Sequence, residues 1–231
     1  MPPRARWAVL AVLLVVFGVT VVVAGKRGEP MVAGPLPTGV QRLGPEAGEP
    51  VADYLRRADA SLPRGDSGPV WALVQLEGYL AVRPAAELMR GVPLARVILR
   101  VPLPRVQTAL VTRDLPEQRP GAGLTGALLA RSMKSAAQDR LAAAFRQVPG
   151  SRRAAVAAAE AAQLRSGCGC VLAFLVLGDG TTLRAVAGHP GVRAVHAASP
   201  DTGIRDIAIV PLLPEQIDVA GPVPDDGPVP A

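Results

Sequence analysis

"CVLAFLVLGDGTTLRAVAGHPGVRAVHAAS", residues Cys170–Ser199, is the stretch from which the fold can be read. Residues 171–177 carry no polar side chain. A run this short, stopped by the Gly178-Asp179-Gly180 turn, reads as a strand buried on both faces. "TTLRAVAG" then has helical spacing and closes on Gly188, Pro190 blocks its continuation, and "GVRAVHAAS" resumes as a strand. The order is strand, helix, strand.

The same grammar appears a hundred residues upstream. "PVWALVQLEGYL" (69–80) is a mostly buried strand, "RPAAELMRG" (83–91) a short helix closed by Gly91, and "ARVILRVPLP" (95–104) a second strand. Short β-α-β units with buried strands favour parallel pairing through a right-handed crossover. Two of them predict an α/β (α+β) domain, a ferredoxin-like-type two-layer sandwich built from two β-α-β halves. "IRDIAIV" (204–210), following the "SPDTG" turn, is expected to add an edge strand.

Between the halves lies an Ala-rich helical pair, an insertion at about 125–166. In "TGALLARSMKSAAQDRLAAAFRQV", Leu129, Met133, Ala137, Leu141 and Phe145 recur every fourth residue, and this stripe is expected to pack on the core. "PGS" (149–151) breaks the helix, with Ser151 offering a cap to the next one, which runs to Gly167. Upstream, Val51, Tyr54, Leu55, Ala58 and Leu62 predict one more short amphipathic helix between Pro50 and Pro63.

The ends read differently. Residues 7–24, "WAVLAVLLVVFGVTVVVA", hold no charge, and as a helix at ~1.5 Å per residue they span roughly 27 Å, near the hydrocarbon thickness of a bilayer. An uncleaved signal anchor is expected, the alternative being a signal peptide cut after Ala24. Arg4 and Arg6 outweigh Lys26 and Arg27, which Glu29 partly offsets, so residues 1–6 are placed in the cytoplasm and the bulk of the chain outside. Residues 25–50 hold five prolines and read as a Pro/Gly-rich stalk. The extracytoplasmic α/β domain is then 51–218, and 219–231, in which GPVP occurs twice, is a disordered Pro-rich tail. The expected location is the cell membrane, single-pass, with the lipid bilayer and an envelope protein as partners.

Composition narrows the function. The formal net charge is +6, but the arginines are scattered among acids and aromatics are 3%, so a nucleic-acid partner is not expected. The chain's two cysteines, Cys168 and Cys170, leave three readings open: a local disulfide, packed free thiols, or a redox or metal role. A three-residue ring stabilises by only roughly 1.6 kcal/mol on loop entropy. A zinc site needs about four ligands, and His189 and His196 with this cysteine pair match no zinc spacing. A Ser/His/Asp set could be assembled only by force from Ser199, His196 or His189, and Asp179 or Asp201, without a nucleophile elbow. No phosphate loop or dinucleotide fingerprint occurs, so neither enzymatic activity nor a cofactor is expected.

The sequence of anchor, Pro-rich stalk, β-α-β unit, Ala/Arg-rich helices, "CGCV" strand, "GVRAVHAA" and "PLLPEQ" resembles single-pass membrane proteins of high-GC actinobacteria that have no assigned activity. That resemblance implies a bacterial cell-membrane home and nothing about chemistry. "HPGVRAV" is also similar to a phrase in subtilase propeptide-like inhibitors. The expected function is a membrane-anchored, non-catalytic binding or scaffolding module of the cell envelope. Its alternatives are a protease-inhibitor or chaperone-like module acting through a sheet edge, and an envelope thiol-redox factor using Cys168 and Cys170.

Overall fold

The computed structural model describes residues 39–64, 68–116 and 125–230. Its elements in chain order are β1 (Gln41–Leu43), α1 (Val51–Ala60), β2 (Val70–Leu80), α2 (Val82–Leu88), β3 (Leu94–Leu99) and β4 (Val111–Asp114). Then follow α3 (Thr125–Arg146), α4 (Arg152–Ser166), β5 (Val171–Gly178), α5 (Gly180–Ala187), β6 (Val192–Ala197), a 3-10 turn (Ile204–Asp206) and β7 (Ile207–Ile209).

β2 and β5 are apolar on both faces, and a strand of that kind is best satisfied with a neighbour on each side and a layer above and below. The sheet order β4-β3-β5-β2-β6 places these two strands side by side at its centre. Every adjacent pair is antiparallel. The two strands of each β-α-β unit do run parallel, but they are not neighbours: β5 lies between β2 and β3, and β2 lies between β5 and β6. This interleaving corrects the parallel pairing expected within each unit.

The two-layer expectation is corrected as well. One face of the sheet, carrying Ala72, Val74, Val97, Phe174 and Val195, packs on Ala85 and Met89 next to and within α2, Leu183 of α5, and Leu129, Met133 and Leu164 of the inserted helices. The other face presents Leu73, Ile98 and Leu175 to Leu43 and Ile207, which belong to a two-stranded parallel sheet of β1 and β7. There, α1 packs Val51, Tyr54 and Ala58 against Ala194, Leu212 and Ala220. The segment 204–210 is thus not an edge strand of the main sheet; its β7 pairs with β1 and roofs the second face.

The expected stalk and tail change character. Residues 41–50 enter the fold through β1 and through a bridge between Pro50 and Val219. Gly48 N–H donates to the Ala220 carbonyl at 2.7 Å, and Ala220 N–H returns a bond to Glu49 at 2.9 Å. Residues 219–230 are not a loose end. Gly227 N–H donates to the Arg105 carbonyl at 2.7 Å, Asp225 accepts from Gln107 N–H at 3.0 Å, and Asp226 clasps the Arg105 guanidinium through both oxygens. These bonds offset the ordering entropy that the tail's low apolar mass could not.

The apolar segment expected to span a membrane, 7–24, lies outside the described residues, as do 1–6 and the first part of the stalk, 25–38. No helix among the described residues is long and apolar enough to cross a membrane. The membrane-anchored reading is corrected accordingly. The structure supports a mixed α/β fold and gives no support to a single-pass anchor, to the lipid bilayer as a partner, or to a cell-membrane location.

Candidate functional site

Cys168 and Cys170 are joined by a disulfide, with their Cα atoms 5.3 Å apart. Gly167 ends α4 in the left-handed conformation (φ 82°), which turns the chain into the ring. Cys170 is fully buried and its carbonyl accepts from Arg100 N–H at 2.9 Å; Cys168 is half-buried. The ring closes the junction between α4 and β5.

The other chemistry-bearing residues are dispersed, each with a structural role of its own. His196 is 5% exposed in β6, and its Nδ1 accepts from Gly44 N–H at 3.0 Å, which requires the neutral ring. Burial, and then the Arg57 charge, lower its pKa to about 4. His189 is exposed, its ring bonded to the adjoining Pro190 carbonyl at 2.7 Å. Asp179 caps α5 by accepting from Thr182 N–H at 2.7 Å, and this bond holds its carboxyl below the ordinary value. Ser199 N–H donates to the Gln41 side chain at 2.9 Å. The structure does not bring Ser199, a histidine and an aspartate into one constellation, and no group of three His, Cys, Asp or Glu residues that could hold a metal ion occurs among the described residues.

Sheet edges offer little for strand addition. Along β6, the Ala197 N–H is taken by Ser61 Oγ at 2.8 Å, and Arg193 bridges to the carbonyls of Leu213 and Gln216 at 2.9 and 2.6 Å. The opposite edge is β4, with only four residues.

A concave feature of the described surface lies elsewhere. A groove of about 670 Å³ runs between the turn 102–105 and the segment 214–224, with Tyr79 in its lining. Pro102, Pro104, Pro214, Pro222 and Pro224 line it. Each lacks an N–H and has a fixed φ, so the flanking segments stay extended without pairing as strands and present apolar ring faces. Leu103, Ile217, Val219 and Val223 complete the apolar lining; Ile217 is 74% exposed.

Two sets of contacts hold this groove in shape. Arg100, 3% exposed, donates to Glu215 at 2.5 Å and to the Tyr79 hydroxyl, while Tyr79 in turn donates to the second Glu215 oxygen at 2.9 Å. Burial pushes the Tyr79 phenol well above its ordinary pKa, so it stays protonated. On the opposite wall Arg105 occupies the left-handed region (φ 54°), which a non-glycine residue rarely adopts. It is held there by Gly227 N–H on its carbonyl and Asp226 on its guanidinium. A Cβ on Gly227 would overlap the Pro104 carbonyl, which explains the glycine at that point. With Arg105 engaged by Asp226 and Glu215 by Arg100, the lining charge left without an ion pair among the described residues is the carboxylate of Asp218.

No protein-family model, curated protein or solved structure matches the chain. The resemblance to single-pass actinobacterial membrane proteins is therefore without support, and the phrase shared with subtilase propeptide-like inhibitors brings no role to this chain. Reading the sequence missed the groove because its walls lie more than a hundred residues apart. The available signal was the pairing of Arg105 with the "PDDGPVP" acids, which no local window contains.

Proposed function

We propose that the chain is a non-catalytic binding module whose groove receives an apolar segment accompanied by positive charge. The observation that carries this reading is the groove itself: an open, proline-walled concavity of about 670 Å³, braced by Arg100–Glu215–Tyr79 and carrying the Asp218 carboxylate. That volume lies within the range of roughly 300–1,000 Å³ typical of small-ligand sites. Walls that are already ordered lose little further entropy on binding. Extended peptides meet such surfaces by laying side chains against proline and aromatic faces, with flanking charges setting direction. The one hydroxyl of the lining, on Tyr79, is bonded to a Glu215 carboxylate that the buried Arg100 already holds, which favours a bracing role over a catalytic one.

Ile217 provides the test, because its exposed side chain can be changed without disturbing the core. A panel of short labelled peptides, apolar with either Arg or Asp flanks, is titrated into the full chain and followed by fluorescence anisotropy. Arg-flanked peptides should saturate, and I217D should weaken them by about 10–100-fold, the value of one buried aliphatic side chain. If no peptide saturates, or if I217D binds as the parent does, the groove is not a binding site.

A further inference from the structure

We infer that the occupant of this groove is the α3–α4 hairpin tip of a second copy of the same chain, an inference that rests on the groove being a binding site. Leu129, Met133 and Ala137 follow one face of α3 into the core, but the next two members of that stripe leave it: Leu141 is 37% exposed and Phe145 82%. Val148, in the turn that follows, is 74% exposed. An isolated exposed apolar residue is ordinary; three on one tip, including one of the chain's three phenylalanines, form a protruding patch.

The charges of tip and groove are opposite. No acid occurs between Asp139 and Glu160, and Arg146 and Arg153 are exposed and make no hydrogen bond or ion pair among the described residues. The groove presents Asp218, its one lining acid without an ion pair among the described residues. Phe145 and Val148 supply the apolar contacts, and Arg146 and Arg153 the positive charge beside them, that such a groove selects.

Tip and groove are also neighbours on each copy. Arg152, at the start of α4, donates to Asp225 at 3.1 Å, and Asp225 directly follows Pro224 of the groove lining. Phe145 remains exposed, so a chain does not fill its own groove. Because the two features adjoin, one two-fold axis lets each tip enter the other copy's groove, giving a closed, isologous pair.

Directed cross-linking of the full chain tests this. The native cysteines are bonded to each other and leave no competing free thiol. One population carries V148C and the other I217C, both at exposed sites. On mixing under mild oxidation the pair should yield a covalent dimer, whereas V148C mixed with A158C, on α4, should not. Adding F145D should cut the yield by about tenfold or more, as expected for a buried aromatic anchor. R153E should also lower it, and mixing R153E with D218R should restore it. Absence of the V148C–I217C product, or a yield indifferent to F145D, overturns the inference. If a peptide of residues 140–153 binds and I217D weakens it while the chains do not cross-link, the groove reading survives and self-docking is overturned. If no peptide binds at all, both fail.

Discussion

Acid should destabilise this protein through His196 before the carboxylates contribute. The imidazole is buried against Tyr54, with ring centroids 5.7 Å apart, and accepts a backbone bond from Gly44. Desolvation and the nearby Arg57 guanidinium lower its pKa from 6.5 to about 4, whereas in the unfolded chain it titrates near the ordinary value. Between these two pH values the unfolded chain binds a proton that the folded chain refuses, so stability is complete above about pH 6.5 and falls as pH drops toward 4. The full shift corresponds to about 3 kcal/mol, of which about 2 kcal/mol is lost between pH 8 and 5. Glu49, Asp225 and Asp226 are held below their ordinary pKa, chiefly by Arg57, by Gln107 N–H and by Arg105 respectively. They therefore take their toll at lower pH and leave this window to the histidine. Urea unfolding should show the midpoint falling by about 1 M from pH 8 to 5, given a slope of about 2 kcal/mol per M. H196N keeps an acceptor for Gly44 N–H but cannot titrate, so its midpoint should hardly move over that range. An equal drop in H196N would refute the argument and place the proton uptake elsewhere.

Two further outcomes follow from buried groups. Glu160, 1% exposed, accepts from Arg140 at 2.6 Å and from Ala109 N–H at 2.5 Å, tying the helical insertion to the loop before β4; E160A should cost about 3 kcal/mol in chemical denaturation, because it strands both donors. E160Q, which retains an acceptor, should cost clearly less. The Cys168–Cys170 ring encloses three residues, so C168S/C170S, or dithiothreitol on the parent, should lower stability by roughly 1.6 kcal/mol while the circular dichroism of the fold is retained. Loss of the folded signal on reduction would show that the ring has a larger role than loop entropy allows.

The elements that could be read from sequence are those whose determinants are local. The β5 run is apolar at every position from 171 to 177 and is bounded by a Gly-Asp-Gly turn, and α4 begins at a capping serine and ends at a left-handed glycine. Both signals sit within a few residues of the structure they specify. Strand pairing does not. Whether the two strands of a β-α-β unit lie side by side or take a strand of the other unit between them is decided by pairings between segments about a hundred residues apart. β1 and β7 are three residues each, too short to carry a period, and they exist because each pairs with the other across the second face of the sheet.

The same physics hid the groove and misdirected the reading of the tail. Composition placed 219–231 among disordered segments because it lacks apolar mass, and by that criterion the inference was sound. Order comes instead from three consecutive residues with partners far away in sequence: Asp225 on Gln107 and Arg152, Asp226 on Arg105, and Gly227 against the Arg105 carbonyl. A proline-rich segment is well suited to such anchoring, since its extended backbone is largely fixed beforehand and loses little freedom when a few bonds pin it. Once pinned, its prolines cannot be absorbed into the sheet and remain as a wall. The α3 stripe fails in the complementary way. Its fourfold spacing is regular to Phe145, but each step of four residues drifts about 40° round a helix of 3.6 residues per turn, so Leu141 and Phe145 rotate off the face on which Ala136 and Ala143 stay buried. An apolar stripe that rotates off the packed face of its helix, and a proline tail tied across the end of the domain, are the two features on which the proposed binding surface rests.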